Sequence, residues 1–128
     1  MIHGAHLLLY SRDPEADRAF LRDVLEWPFV DAGHGWLIFA LPPTELAVHP
    51  ADKEPVQPAA GHGLLSAVVY LLCDELHSTV EALAANGVVC TAFQEARWGV
   101  TTTLPLPGGG SLGLYEPHHP LAIMPRTT

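Results

Sequence analysis

The sequence predicts an α+β domain made of two βαβββ modules that together form a half-open, curved β-sheet. Three observations lead there. The chain has 128 residues, which at roughly 100–200 residues per domain bounds it to one domain. An apolar strand, an amphipathic helix and further short apolar runs follow one another twice along it. The two helices open on equivalent aspartates, Asp13 and Asp74, 61 residues apart, the self-similarity expected of an internal repeat. Each unit offers one helix to one sheet face, so its other face must find a partner or enclose a cavity.

Module one spans about 5–49. Ala5 to Ser11 is apolar and reads as a strand, ended by Arg12-Asp13-Pro14, which is also a helix start. Asp13 is a good N-cap, and Pro14 fits the first turn, where its missing N–H costs nothing. Ala16, Ala19, Phe20 and Val24 then recur at helical spacing while Arg18, Arg22 and Asp23 lie off that stripe, so one face covers a sheet. Trp27-Pro28 ends the helix. Phe29-Val30 is a short strand, Ala32 to Gly35 a turn, and Trp36–Leu41 and Glu45–His49 are strands separated by Pro42-Pro43.

Residues 50–63 hold three of the twelve prolines and no hydrophobic periodicity, which predicts a linker. Module two, about 64–116, repeats the pattern. Leu65–Cys73 is an apolar strand; Asp74 caps a helix with Leu76, Val80, Leu83 and Ala84 on one face; Asn86-Gly87 stops it. Val88–Thr91, Val100–Leu104 and Leu112–Glu116 are predicted strands, the last two joined through a hairpin turn at Pro107 to Gly110. The tail, 117–128, contains Pro117, Pro120 and Pro125 and reads as a loose terminus.

Hydrophobic residues make up 48% and charged residues 16%, enough apolar material for a core. Six Lys and Arg against 14 Asp and Glu give a formal charge of −8, with no basic stripe, which argues against nucleic acid as a partner. No apolar run reaches the roughly 18 residues of a spanning helix, and no basic region precedes the first apolar stretch. The expectation is a cytoplasmic protein with no membrane partner. Cys73 and Cys90 lack CxxC spacing and read as free thiols. Eight histidines could supply metal ligands where they converge with acidic residues.

Several motifs, taken in order, resemble the vicinal oxygen chelate superfamily, which includes glyoxalase I, extradiol dioxygenases and bleomycin-binding resistance proteins. His6-Leu-Leu-Leu-Tyr-Ser-Arg-Asp13 is similar to its opening strand and helix cap. Ala19-Phe20-Leu21-Arg22-Asp23-Val24-Leu25 resembles its helix end, with Leu21 for Tyr and Glu26 for Gly. Asn86-Gly87 resembles its second helix stop, and Trp98-Gly99 with Pro107-Gly108-Gly109 its "WG…DPDG" motif. The resemblance spans about residues 5–116. It implies that a divalent metal, where present, is held by four positions, one on the first and one on the last strand of each unit. His6 matches the first and Glu45 the second. The mate of His6 is Ala67, and the last ligand position falls on Gly113; neither can ligate. His49, His62 and Glu116 offer further donors, although strand alternation puts Glu116 on the face opposite Gly113. Two protein ligands would hold Zn²⁺, Ni²⁺ or Fe²⁺ weakly, because catalytic sites normally supply three or more.

Trp36, Tyr70, Trp98 and Tyr115 are candidates for lining an apolar pocket, and alternation along the first strand adds Tyr10, beside His6 and Leu8. The Thr101-Thr102-Thr103 run could present hydroxyls but fits any strand. Two functions follow from the resemblance. One is a metal-dependent lyase, isomerase or extradiol-type dioxygenase, with His6 and Glu45 as ligands and Glu45 as a proton-abstracting base if enclosure raises its pKa. The other, favoured by the half-missing cage, is a metal-independent homodimer that binds or transforms a small organic molecule in a pocket lined by Tyr10, Trp36, Tyr70 and Trp98. The charge of −8 favours a cationic or neutral ligand.

Overall fold

The computed structural model describes residues 1–52, 54 and 56–123. The chain divides into two compact units: Met1–Ala40 with Pro105–Ser111, and Leu41–Leu104 with the segment from Leu112 onward. In the first unit, α1 (Pro14–Asp23) begins as its sequence dictates, with Asp13 accepting a hydrogen bond from the Ala16 N–H at 3.1 Å and Pro14 at the first position. Phe20 is its buried residue. β1 (Phe29–Asp31) and β2 (Leu37–Phe39) pair antiparallel around Gly33-His34-Gly35, all three at positive φ. The segment after Pro105 is tied to α1 through Asp17, which accepts from the Gly108 N–H at 2.7 Å and the Ser11 hydroxyl at 2.6 Å.

The second unit holds the hairpin β3 (Val56–Ala59) and β4 (His62–Leu65), then β5 (Tyr70–Leu72), α2 (Leu76–Ala85), β6 (Gln94–Ala96) and, except for their end residues Pro105 and Ser111, β7 (Gly99–Pro105) and β8 (Ser111–Pro117). The last four strands form one sheet in the order β5-β8-β7-β6. β5 runs parallel to β8, and β6 antiparallel to β7. Alternation divides this sheet into two faces. Leu104, Leu112 and Leu114, with Thr102, are buried on one of them. Glu116 shares that face, and its carboxylate accepts from the Leu76 N–H at 2.8 Å, which puts the start of α2 on this side. The buried residues of α2 are Leu76 and Leu83.

The chain is α+β, with small sheets beside two ten-residue helices. Several strands differ from their expected limits. Ala5–Ser11 and Glu45–His49 carry no ladder pairing; an apolar run states that it can be a strand but does not supply a partner, and Pro42, Pro43 and Pro50 remove donors on both sides of the second. The stretch expected as a linker contains β3 and the start of β4. Ala60 and Gly61 both adopt positive φ, the conformation of a tight hairpin turn. Of Leu65–Cys73 only Tyr70–Leu72 is paired within the four-stranded sheet, and Val88–Thr91 is replaced as a strand by Gln94–Ala96. α2 is capped by Glu75, one residue after the expected Asp74, through a 2.9 Å bond from the Ser78 N–H. Its stop is at Asn86-Gly87, with Gly87 at φ +81°. Residues 124–128 of the tail lie outside the described residues. No described helix is long and apolar enough to cross a membrane.

Candidate functional site

The sheet face away from Leu112 and Leu114 carries Gly113 and Tyr115 on β8. Tyr70 is the register partner of Gly113. Because Gly113 has no side chain, the Tyr70 ring lies across it; a Cβ there would fall on the ring carbons. The Tyr115 ring meets Tyr70 edge-on at 5.7 Å between centroids and Trp98 at 5.5 Å, the arrangement ring quadrupoles favour. The Tyr115 hydroxyl donates to the Trp98 carbonyl at 3.1 Å, and His119 Nε2 lies 2.5 Å from the Tyr115 hydroxyl oxygen. Burial first, then the Glu45 carboxylate and Tyr70, push the Tyr115 phenol above its ordinary pKa, so it is a neutral hydroxyl at pH 7. Tyr70 and Trp98 remain about half exposed, at 50% and 52%.

The same face continues onto β7 and β6. Thr101 and Thr103 alternate with the buried Thr102 and Leu104. Gln94 stands directly opposite Thr101 in the antiparallel pair, so the two side chains project side by side. A groove of ≈ 310 Å³ is bounded by Tyr70, Thr91, Gln94, Thr101 and Thr103, and no acidic or basic side chain lines it among the described residues. Thr91, Thr102 and Thr103 hydrogen-bond one another, with the Thr102 hydroxyl donating to the Thr91 carbonyl at 2.6 Å.

Of the residues singled out from sequence, Tyr70, Trp98 and Tyr115 are brought together. Tyr10 and His6 lie exposed in the unpaired N-terminal segment of the first unit. Trp36, also in that unit, has the Arg18 guanidinium 4.5 Å above its ring. A groove of ≈ 390 Å³ in the same unit is edged by Arg18 and Arg22 but also by Glu15 and Asp31, and is lined by Gly35 and Leu37 rather than by Trp36. Glu45 is half-buried and accepts from the Ala122 N–H at 2.6 Å. His49 is exposed, with Nδ1 2.9 Å from the Pro50 carbonyl, and His62 is exposed on β4. Gln94 and His119 are members of this face that the sequence did not single out. Gln94 was hidden by the strand expected at Val88–Thr91, and His119 by the proline-rich character of its tail.

A model of the Glyoxalase/Bleomycin resistance protein/Dioxygenase superfamily matches residues 4–118. The chain belongs to this superfamily. Solved structures of the fold include a lactoylglutathione lyase from Agrobacterium tumefaciens, 20% identical over 84% of this chain and 88% of that one, with a TM-score of 0.58. They also include TnmS3, an antibiotic binding protein from Streptomyces sp. CB03234, 14% identical over 91% and 99% of the two chains, with a TM-score of 0.51. No curated protein matches the chain. Likeness at this identity establishes the fold of the superfamily and leaves the chemistry to the residues.

Those residues do not fit a four-point metal cage. Ala67 has no donor atom, and a side chain at Gly113 would collide with the Tyr70 ring. Both oxygens of Glu116 are engaged on the helix side, one by the Leu76 N–H and the other by His118 Nε2 at 3.1 Å. These contacts, the Leu76 N–H foremost, hold the Glu116 carboxyl below its ordinary pKa. Among the described residues, no three His, Cys, Asp or Glu side chains are grouped to hold a metal ion.

Proposed function

We propose that the chain binds a small organic molecule on the open face of its four-stranded sheet, with an aromatic part of the ligand against Tyr70, Tyr115 and Trp98 and with no metal ion. The observation that carries this reading is the Tyr70 ring lying across Gly113, at the position where the superfamily resemblance calls for a metal ligand. An aromatic surface stands there instead. Tyr70 and Trp98 are half exposed, so each has surface to give to a stacked ring, worth about 0.5–1.5 kcal/mol per aromatic pair beyond area burial. Glu45 supplies negative charge near Tyr115, which favours a neutral or cationic ligand over an anion. The reading is of a cytoplasmic homodimer. Free Cys73 and Cys90 suit a reducing compartment, and the exposed Leu46, Val48, Leu65 and Val68 suit burial against a second copy.

Isothermal titration with 2-naphthol in the presence of EDTA tests the binding. Saturable binding that Tyr70→Ala weakens about three- to tenfold is the expected result. Metal analysis of protein purified without chelator tests the rest. Stoichiometric Zn²⁺, Ni²⁺ or Fe²⁺ that disappears in His6→Ala, with naphthol binding abolished by EDTA, overturns the reading in favour of a metal-dependent lyase, isomerase or dioxygenase.

A further inference from the structure

Resting on the aromatic-face reading, we infer that the ligand is an aromatic compound carrying an uncharged, hydroxylated substituent, such as a glycoside, and that Gln94 and Thr101 recognise that substituent. The chain as a whole carries a formal charge of −8, yet the groove beside Tyr70 is lined by no ionised side chain among the described residues. What it presents is hydroxyls and one amide on a sheet surface. Not all of these are free to bind. The Thr91 hydroxyl is shared with Thr102 and Thr103 at 2.9 Å each and also accepts from the Thr103 N–H at 3.0 Å. Thr102 is buried and donates to a carbonyl. That network serves the edge of the sheet.

Gln94 and Thr101 are different. They are direct register partners on adjacent strands, so their polar ends stand next to each other on the exposed face, and neither side chain is used in a hydrogen bond among the described residues. An amide offers two donors and an acceptor, and a hydroxyl offers one donor and two acceptor lone pairs. Side by side they match vicinal hydroxyls, which also donate and accept, and they match neither a carboxylate nor a phosphate, which would call for a cation. A sugar ring further has an apolar C–H face, and the Tyr70 ring borders the same groove. Tyr115 and Trp98 extend the aromatic surface from Tyr70, which leaves the aglycone next to the sugar.

The test is calorimetric comparison of 2-naphthol, methyl β-glucopyranoside, 2-naphthyl β-glucopyranoside and its galacto epimer, all in EDTA. At least one naphthyl glycoside is expected to bind about tenfold more tightly than 2-naphthol, the gain of two net hydrogen bonds. Thr101→Val, which keeps the shape and removes the hydroxyl, and Gln94→Leu should each erase most of that advantage, read as the ratio of glycoside to naphthol affinity in the same variant. Equal binding of naphthol and both glycosides overturns the sugar assignment alone. An advantage untouched by either substitution overturns the role of Gln94 and Thr101. Failure of naphthol and both glycosides to bind overturns the aromatic-face reading as well.

Discussion

The Tyr70 ring occupies the space that a side chain at Gly113 would need. The two are register partners on the parallel β5–β8 ladder, so the glycine is what lets the ring lie down on the sheet and bring its edge to Tyr115. In Gly113→Ala the new methyl must push the ring away. The substitution should cost about 1–3 kcal/mol as overpacking. In the Tyr70→Ala background it should cost much less, and a double-mutant cycle by urea denaturation reads the coupling.

Leu76, on the first turn of α2, is fully buried at 0% exposure. Truncation to alanine should cost about 2–5 kcal/mol in the urea midpoint analysis, the loss typical of a buried leucine. Val89→Ala, at a residue 75% exposed, should change stability by less than about 0.5 kcal/mol in the same assay.

Acid should loosen the join between β8 and α2. The Glu116 carboxyl titrates below its ordinary value because the ionised form accepts from the Leu76 N–H and pairs with His118. A carboxyl whose pKa is lower folded than unfolded adds stability above its unfolded value, and that contribution disappears as pH falls through the folded value. Glu116→Gln should therefore lower Tm at pH 7. The gap to the wild type should close as pH drops below the ordinary glutamate value of about 4.3.

Burial raises the pKa of both thiols, Cys73 and Cys90, so little thiolate is present at neutral pH. Both should react with a disulfide reagent such as dithionitrobenzoate more slowly in the folded protein than free cysteine does. In denaturant the reaction should reach the rate of the free amino acid.

Helix ends were legible because capping is local. Asp13-Pro14 and Asn86-Gly87 mark their helix within a few residues of chain, and even the shift from Asp74 to Glu75 moves a boundary by one position. Strands were less so, because a strand exists only with its partner. Glu45–His49 has the alternation without the ladder, whereas residues 56–65 form a hairpin despite Pro58. At the site, Tyr70, Trp98 and Tyr115 stood out as aromatics, and alternation placed Glu116 on the side opposite Gly113. Gln94 was not legible, since its place beside Thr101 depends on a register between strands that the sequence alone did not locate. The contact of Tyr70 with Gly113 depends on the pairing of β5 with β8, two strands far apart in the chain.

The most direct measurement is an amide-shift map by ¹H–¹⁵N NMR during titration with 2-naphthol in EDTA. The expected shifts cluster at Tyr70, Trp98 and Tyr115, with the Trp98 indole N–H among the largest. Shifts confined to the segments around His6 and Glu45, appearing only when Zn²⁺ is added, would contradict a metal-free aromatic face.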